Sequence, residues 1–417
     1  MPSIEVDTDA RHQDFADRRS LLRDARSLRT VHRDPQPARR VVLVGGGTAG
    51  HVYPALAVAE DYRKQVSSLE ASFFGTKDGF EAKLLPLHGY QLSVIKSTPV
   101  IGQSLFGKLR TVGGLGTAIM RARRILTEVK PDLIIGFGGY VSVPTMLAAR
   151  SLGILTAIHE SNAVAGLANR LLGRFVDRVY LGFESAAPQF HPGRTVVTGN
   201  PVRPDVRLLA AQRRDPPMRQ PFRILVTGGS QGSPFLNRQV PSLLNRLARL
   251  GLRVKIRHQS GPDDSDRVRM EYRRRGLQAS VAAFLHDMAE AYRWADLVVS
   301  CAGAATLAEL ATMGTPVLLV PLSKAAGNHQ FSNAAAFAHV TGGWWQSEDR
   351  WNPDDWSTTI AGLLRDPAAW RRASEGVRRI AKPDASRMLV ADCEKTIEHR
   401  NSAKRGAVHL TFLSRSD

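Results

Sequence analysis

Along this chain, short apolar runs stop at glycine-rich turns and restart as helical stripes. Arg39-Arg-Val-Val-Leu-Val44 ends in four consecutive apolar residues, the pattern of a strand covered on both faces. It leads into Gly45-Gly-Gly-Thr-Ala-Gly-His51 and a helical stretch from Tyr53 to about Lys64. The same succession returns at Asp132–Ile135, with the turn Gly136–Ser142, and at Ile154–Ile158, followed by His159-Glu-Ser-Asn162. After Thr198-Gly-Asn-Pro-Val-Arg203 and a polar, Arg- and Pro-rich stretch, the pattern restarts. Arg223–Val226 is a strand, Thr227-Gly-Gly-Ser-Gln-Gly232 a glycine loop, and Asn237–Leu250 a helix. Further strands are expected at Val254–Arg257, Ala295–Ser300 and Pro316–Pro321.

Strands alternating with helices predict parallel sheets, with ligand groups on the loops after the strands. Two strand, glycine-loop, helix openings, near residues 45 and 228, predict two doubly wound Rossmann-like domains facing a cleft. The expected division is an extension over 1–38, a first domain over 39–203, a linker over 204–221, a second domain over 222–382 and a C-terminal helix and tail over 383–417. The extension carries seven Arg and seven acidic residues without sustained apolar periodicity, and is expected to be disordered or loosely helical. From Ile101 to Val129 an apolar stripe, interrupted by Gly113-Gly114, is flanked by Lys108, Arg110, Arg121, Arg123 and Arg124. Such a stripe either faces its own core or rests on an anionic bilayer.

Composition narrows the class. With 43% hydrophobic residues and a mean hydropathy of -0.20, the chain is that of an ordinary water-soluble protein. No run approaches the length of a membrane span and the N-terminus is too polar for a signal peptide, so a cytoplasmic enzyme is expected. Two cysteines, Cys301 and Cys393, make neither a disulfide framework nor a zinc cluster. The net charge of +19 favours an anionic partner. Without zinc-finger spacing, an RNA-binding aromatic signature or a basic region with heptads, no nucleic acid partner is expected.

Two stretches carry candidate chemistry. Cys301-Ala-Gly-Ala-Ala-Thr-Leu-Ala-Glu309 places a small-residue turn at the start of a helix, where unpaired N–H groups suit a phosphate, and Glu309 a turn and a half further in, able to accept from a sugar diol. The plainer alternative is a tight strand-to-helix connection with a solvated glutamate. In the first loop, Gly45, Gly47 and Gly50 satisfy G-x-G-x-x-G, but the second strand ends at Gly75-Thr76 with no acid for a ribose, which argues against a dinucleotide cofactor. His51, in the first turn of the following helix, is held towards the neutral form by the positive helix end, a state suited to a base; the alternative is a histidine hydrogen-bonded within its turn.

Taken in order, Gly45–His51, Gly136–Ser142, His159–Asn162, Ala165-Gly-Leu-Ala-Asn169, Thr198–Arg203, Gly228–Gly232, Gly303–Glu309 and His329-Gln330 resemble the MurG-like family of peptidoglycan N-acetylglucosaminyltransferases, over about residues 40 to 380. The resemblance implies the two-domain GT-B glycosyltransferase fold and no cofactor. It implies UDP-N-acetylglucosamine as donor and, as acceptor, the undecaprenyl-pyrophosphoryl muramyl-pentapeptide, met on the inner face of the plasma membrane. By matching position, Glu309 would hold the ribose, Leu285 and its backbone neighbours the uracil, and Ser230, Arg203 and Ala304, Ala305 and Thr306 the diphosphate. Gln330 would lie near the donor sugar, with Thr48, Gly50 and Gln231 also on the UDP-sugar. His51, Glu160 and Asn162 would line the acceptor side, where a base is needed, and which of them it is stays open. The resemblance implies an inverting transferase, and since no Asp-x-Asp stands at a predicted strand end, metal-independent transfer is expected. Cys301 stands where the family usually carries arginine and Val143 where many members carry glycine. Ser97–Ser104 lacks the basic pair often found there. These departures leave open a related acceptor, another lipid-linked or phosphoglycolipid intermediate.

Overall fold

The computed structural model describes residues 38–95, 105–212, 215–323 and 326–413, without the side chains of 105–113, 326 and 406–413. All but the last residue of the expected N-terminal extension, and the Ser97–Ser104 stretch, lie outside the described residues.

From Arg39 the chain builds two α/β lobes. The first sheet holds β1 (Arg39–Val44), β2 (Leu69–Gly75), β3 (Leu92–Val94), β4 (Leu133–Gly136), β5 (Leu155–Glu160), β6 (Arg178–Leu181) and β7 (Thr195–Val197) in the order β3-β2-β1-β4-β5-β6-β7. The second holds β8 (Phe222–Thr227), β9 (Val254–Gln259), β10 (Gln278–Ala282), β11 (Leu297–Ser300), β12 (Val317–Leu319) and β13 (Trp344–Trp345) in the order β10-β9-β8-β11-β12-β13. Every pairing is parallel. Strand order reverses between β1 and β4 and again between β8 and β11, and at such reversals loops diverge and leave a crevice beyond the strand ends.

The apolar runs do what their periodicity requires. Val41 and Leu43 enter one core cluster while Val42 and Val44 enter the other, and Ile224 and Val226 are separated from Leu225 in the same way. Each strand thus feeds both layers, and each fully buried Val or Leu contributes roughly 1.5–3 kcal/mol before the entropy of ordering is set against it.

The helices used below are α1 (Ala49–Gln65), α2 (Leu105–Val129), α3 (Ser142–Ser151), α4 (Pro204–Ala210), α5 (Pro234–Arg249), α6 (Ala304–Met313), α7 (His329–Thr341) and α8 (Ala385–Leu413). Two differ from expectation. Gly113-Gly114 does not break α2, which runs through both. Glycine costs a helix about 1 kcal/mol per residue, and burial of Ala118, Ala122 and Leu126 in the first lobe's core offsets it. That half of the stripe therefore faces the protein interior. The chain after Arg400 continues as helix to Leu413. Although it follows the second lobe in sequence, α8 lies on the first, with Leu389, Val390, Cys393 and Ile397 in the cluster that holds Val58 and Tyr62 of α1. Polar contacts fix its register: Tyr180 donates to Asp392 at 2.9 Å and Arg39 Nε to Glu394 at 3.1 Å. No helix among the described residues is long and apolar enough to cross a membrane.

Candidate active site

The loop after β1 brings Thr48, Gly50 and His51 to the carboxyl end of the first sheet. Thr48 and Gly50 are exposed, and Thr48 is the N-cap residue of α1 without a capping bond from its side chain. His51 is half-buried, its Nδ1 3.0 Å from the carbonyl of Gly46. A carbonyl only accepts, so Nδ1 carries the proton and Nε2 of the neutral ring keeps its lone pair. Burial pulls the His51 pKa below the ordinary histidine value; the Gly46 bond and the charges of Glu160 and Glu81 oppose this, and His329 of α7 reinforces it. The ring lies close under Gly138, whose φ is +102° and where a Cβ would stand 3.0 Å from His51 Cδ2. Glycine is therefore required there on both counts.

The glycine loop itself is closed by a residue that sequence reasoning passed over. Glu81, in the short helix Phe80–Leu84, is fully buried. Its carboxylate accepts from Gly47 N–H at 3.0 Å, Thr76 N–H at 2.6 Å and Thr76 Oγ1–H at 2.7 Å. The acid missing from the end of β2 stands a few residues later and points into the loop. A carboxylate there repels phosphate.

At the end of β5, Glu160 is buried and fully engaged. Oε1 accepts from the backbone and side-chain amides of Asn162 at 2.9 and 3.0 Å, and Oε2 from Gly166 N–H at 3.0 Å and Asn169 Nδ2 at 2.9 Å. These four donors on its two oxygens tie the 160–169 loop together. Asn162 passes the contact onward, its Oδ1 accepting at 3.1 Å from Asn333 Nδ2 of α7. Asn333, also unanticipated as a bridge, takes Ala163 N–H at 2.8 Å and donates to Ala302 O at 3.1 Å, so one buried amide joins both lobes. His159 does not reach the cleft. It is buried and bonded through Nε2 to Gly199 O at 3.3 Å, and burial pulls its pKa to about 4.

In the second lobe, Ser230 is half-buried and Gln231 exposed on the loop after β8. Gly232, at φ +75°, sits so close to Ser260 that a Cβ would fall 2.0 Å from that carbonyl. Gln259 at the end of β9 braces the loop. Its Nε2 donates to Gly229 O at 2.8 Å and its Oε1 accepts from Leu285 N–H at 2.8 Å, so the Leu285 backbone is pinned beside the glycine loop. Ala304, Ala305 and Thr306 form the first turn of α6, whose N–H groups have no intrahelical partners. Gln330 at the start of α7 accepts through Oε1 from Ala302 N–H at 3.1 Å and Leu322 N–H at 3.0 Å. Two backbone donors on one atom fix that atom as oxygen and leave the amide nitrogen as a donor. Cys301 lies in the core behind the turn, and burial pushes its thiol up to about 12.

Arg203 and Glu309 are found together. Arg203 Nε donates to Oε1 at 2.7 Å and Nη2 to Oε2 at 3.3 Å, while Tyr292 Oη donates to Oε2 at 3.1 Å. The guanidinium also lies over the ring of Tyr53 in α1, 4.7 Å from its centroid. Tyr53 meets Phe80, and Phe80 meets Phe284 beside Leu285, at centroid distances of 5.6 and 6.1 Å. A continuous row of aromatic and charged groups thus spans from one lobe to the other. The carboxylate expected to take a ribose is occupied by the arginine expected to take a phosphate. The cavities of about 330 and 520 Å³ lie elsewhere, at the amino ends of strands, lined by residues such as Lys130 and Arg400 in one and Pro217 and Lys255 in the other.

Two Rossmann-like lobes whose facing strand ends carry a half-buried histidine on one side and an open helix N-terminus with a buried glutamate on the other define a GT-B glycosyltransferase architecture. The sequence matches the glycosyltransferase family 28 N-terminal domain over residues 41–181 and the glycosyltransferase family 28 C-terminal domain over residues 223–386, and the chain belongs to that family. It is 40% identical over 361 residues, 84% of this chain and 96% of the relative, to the UDP-N-acetylglucosamine--N-acetylmuramyl-(pentapeptide) pyrophosphoryl-undecaprenol N-acetylglucosamine transferase of Magnetococcus marinus. It is 38% identical over 352 residues to the protein of that name from Citrifermentans bemidjiense, covering 84% of this chain and 98% of the relative. Among solved structures, MurG of Acinetobacter baumannii is similar with a TM-score of 0.69 and 31% identity, covering 86% of this chain and 99% of that one. A UDP-GlcNAc 2-epimerase from Neisseria meningitidis bound to UDP-GlcNAc, 15% identical with a TM-score of 0.63 over 85% of this chain and 100% of that one, shares the fold.

Proposed function

We propose that this chain transfers N-acetylglucosamine from UDP-N-acetylglucosamine to undecaprenyl-pyrophosphoryl muramyl-pentapeptide, the reaction named for its relatives. The observation that carries the mechanism is the fixed tautomer of His51, whose Nδ1–H is spent on Gly46 O. An acceptor sugar hydroxyl gives its proton to Nε2 as its oxygen bonds to C1 of the donor sugar. The bond from C1 to the phosphate oxygen breaks, and UDP leaves with the electron pair. Attack opposite the leaving group inverts the anomeric centre. The N–H groups of Ala304, Ala305 and Thr306 with Ser230 face the growing diphosphate charge, a preorganised stabilisation that needs no metal. Glu160 and Asn162 shape the acceptor loop, leaving His51 as the base.

Donor binding requires Glu309 to exchange partners. A ribose diol offers two donors where Arg203 now supplies them, and release of the guanidinium places it beside the diphosphate. Thr48, Gly50 and Gln231 are the exposed groups at the rim, Leu285 bounds the base through its backbone, and Gln330 presents its amide nitrogen to the sugar. The lipid anchor of the acceptor draws the protein to the cytoplasmic face of an anionic membrane, which the net charge of +19 supports. The test is incubation with UDP-sugars labelled in the sugar and a panel of polyprenyl-pyrophosphoryl acceptors, with and without EDTA. Label should appear in the muramyl-pentapeptide lipid from UDP-N-acetylglucosamine, undiminished by EDTA. Label in a different lipid overturns the acceptor, and loss of turnover restored by magnesium overturns metal independence.

A further inference from the structure

The carboxylate of Glu81 and the ring of His51 address the two ends of one peptide group. Glu81 Oε2 accepts from Gly47 N–H at 3.0 Å, and the carbonyl of the same peptide unit, Gly46 C=O, accepts from His51 Nδ1–H at 3.0 Å. A peptide is a planar, resonance-stabilised dipole. Negative charge on its N–H side draws that proton outward and increases electron density on the carbonyl oxygen. Hydrogen bonds aligned head to tail polarise one another in this way.

We propose that Glu81 is a positioning and tuning residue for His51, acting through the Gly46–Gly47 peptide as a carboxylate–peptide–imidazole relay. The arrangement does what a carboxylate bonded directly to Nδ1 would do, with a peptide inserted between them. It fixes the tautomer that leaves Nε2 free, and it stabilises the imidazolium formed when Nε2 takes a proton. Glu81 is fully buried and its remaining oxygen is held by Thr76, so the charge is fixed in place with respect to the loop. The other charged or titratable groups facing His51 are Glu160 at the end of β5, which favours the charged ring, and His329 at the start of α7, which opposes it. Neither is connected to Nδ1. In catalytic terms the proposal rests on the assignment of His51 as base, but the relay is a property of the ground state and is measurable without turnover.

The experiment is an NMR titration of the His51 ring in the full chain with labelled histidine, assigned by comparison with His51→Gln. In Glu81→Gln the His51 midpoint should fall by roughly one pH unit, as expected for removing a partly shielded charge at this range. In Thr76→Val, which removes a bond to the same carboxylate but keeps its charge, the midpoint should stay within a few tenths of a unit. A folded Glu81→Gln protein with an unshifted midpoint overturns the relay, and so does an equal fall in Thr76→Val, which would mark loop loosening as the cause. Should Glu81→Gln not fold, the unaltered protein decides: the Gly47 amide resonance must move with the same midpoint as the His51 ring, and an amide that ignores that titration sinks the idea. In kinetics, the acid limb of kcat/KM should move with the NMR midpoint. Near-normal turnover by His51→Gln would remove the histidine as base while leaving the NMR result to judge the relay on its own.

Discussion

The two lobes open with the same device, a parallel strand, a glycine loop and a helix, yet the loops are braced by groups of different charge. In the first, Glu81 places a buried carboxylate on Gly47 N–H. In the second, the neutral amide of Gln259 holds the loop at Gly229 and Leu285, and the neutral amide of Gln330 holds the turn before α6 at Ala302. A carboxylate cancels the positive end of a helix, whereas an amide leaves it intact. The turn before α6 therefore keeps its helix end uncompensated, as the proposed diphosphate site requires, while in the first lobe a fixed negative charge stands on the loop that holds His51. On the proposed reading, fold symmetry sets where ligands sit, and the charge of one brace in each lobe sets which ligand.

The comparison breaks most severely at His51. Replacing it with Gln keeps a polar side chain of similar reach but no base, and general-base catalysis is worth about 10²–10⁴-fold. Single-turnover transfer should slow by that factor while UDP binding, measured by calorimetry, stays within about twofold. A loss shared equally between the two would place His51 on the donor.

The next test reverses the polarity of the second lobe. In Gln330→Glu one carboxylate oxygen still accepts from Ala302 and Leu322, so the turn keeps its brace, but a negative charge now stands at the helix end. UDP affinity should fall by about 10- to 100-fold, the equivalent of about 1.4–2.8 kcal/mol, and the loss should shrink with added salt. Unchanged affinity would mean that brace charge does not select the ligand.

The lobes and the glycine loops were legible in the sequence because they depend on local signals: strand runs, glycines at turns and a glutamate at fixed helical distance from a turn. The braces were not. Glu81 lies 34 positions from Gly47, Gln259 26 from Leu285 and Asn333 170 from Ala163, and no local pattern announces a buried polar side chain whose partner is that remote. The same blindness hid the four donors that occupy Glu160, and made Gly113-Gly114 look like a break that packing against α3 overrides. Arg203 and Glu309 each stood out in the sequence as a candidate, but not as partners, since 106 positions separate them.

Among the described residues each lobe also fully buries one histidine, and these give the smallest and most local contrast. His159 is held at about 4 and His258, bonded between Tyr272 and Asn237, at about 3, in both cases first by burial. Both values lie below the ordinary histidine value near 6.5. As pH falls through 6.5 the unfolded chain takes up protons that the folded chain refuses, so stability declines with acid, by about 1.4 kcal/mol per pH unit for each histidine. The decline ends near pH 4 for His159 and near pH 3 for His258. All six tryptophans, from Trp294 to Trp370, belong to the second lobe, so their fluorescence reports unfolding there. In His258→Asn the urea midpoint followed by tryptophan should lose roughly half or more of its dependence on pH between 6.5 and 5, whatever the variant's stability at neutral pH. The same dependence should persist in His159→Asn. An unaltered pH slope in His258→Asn would show that the second lobe's acid sensitivity arises from other groups.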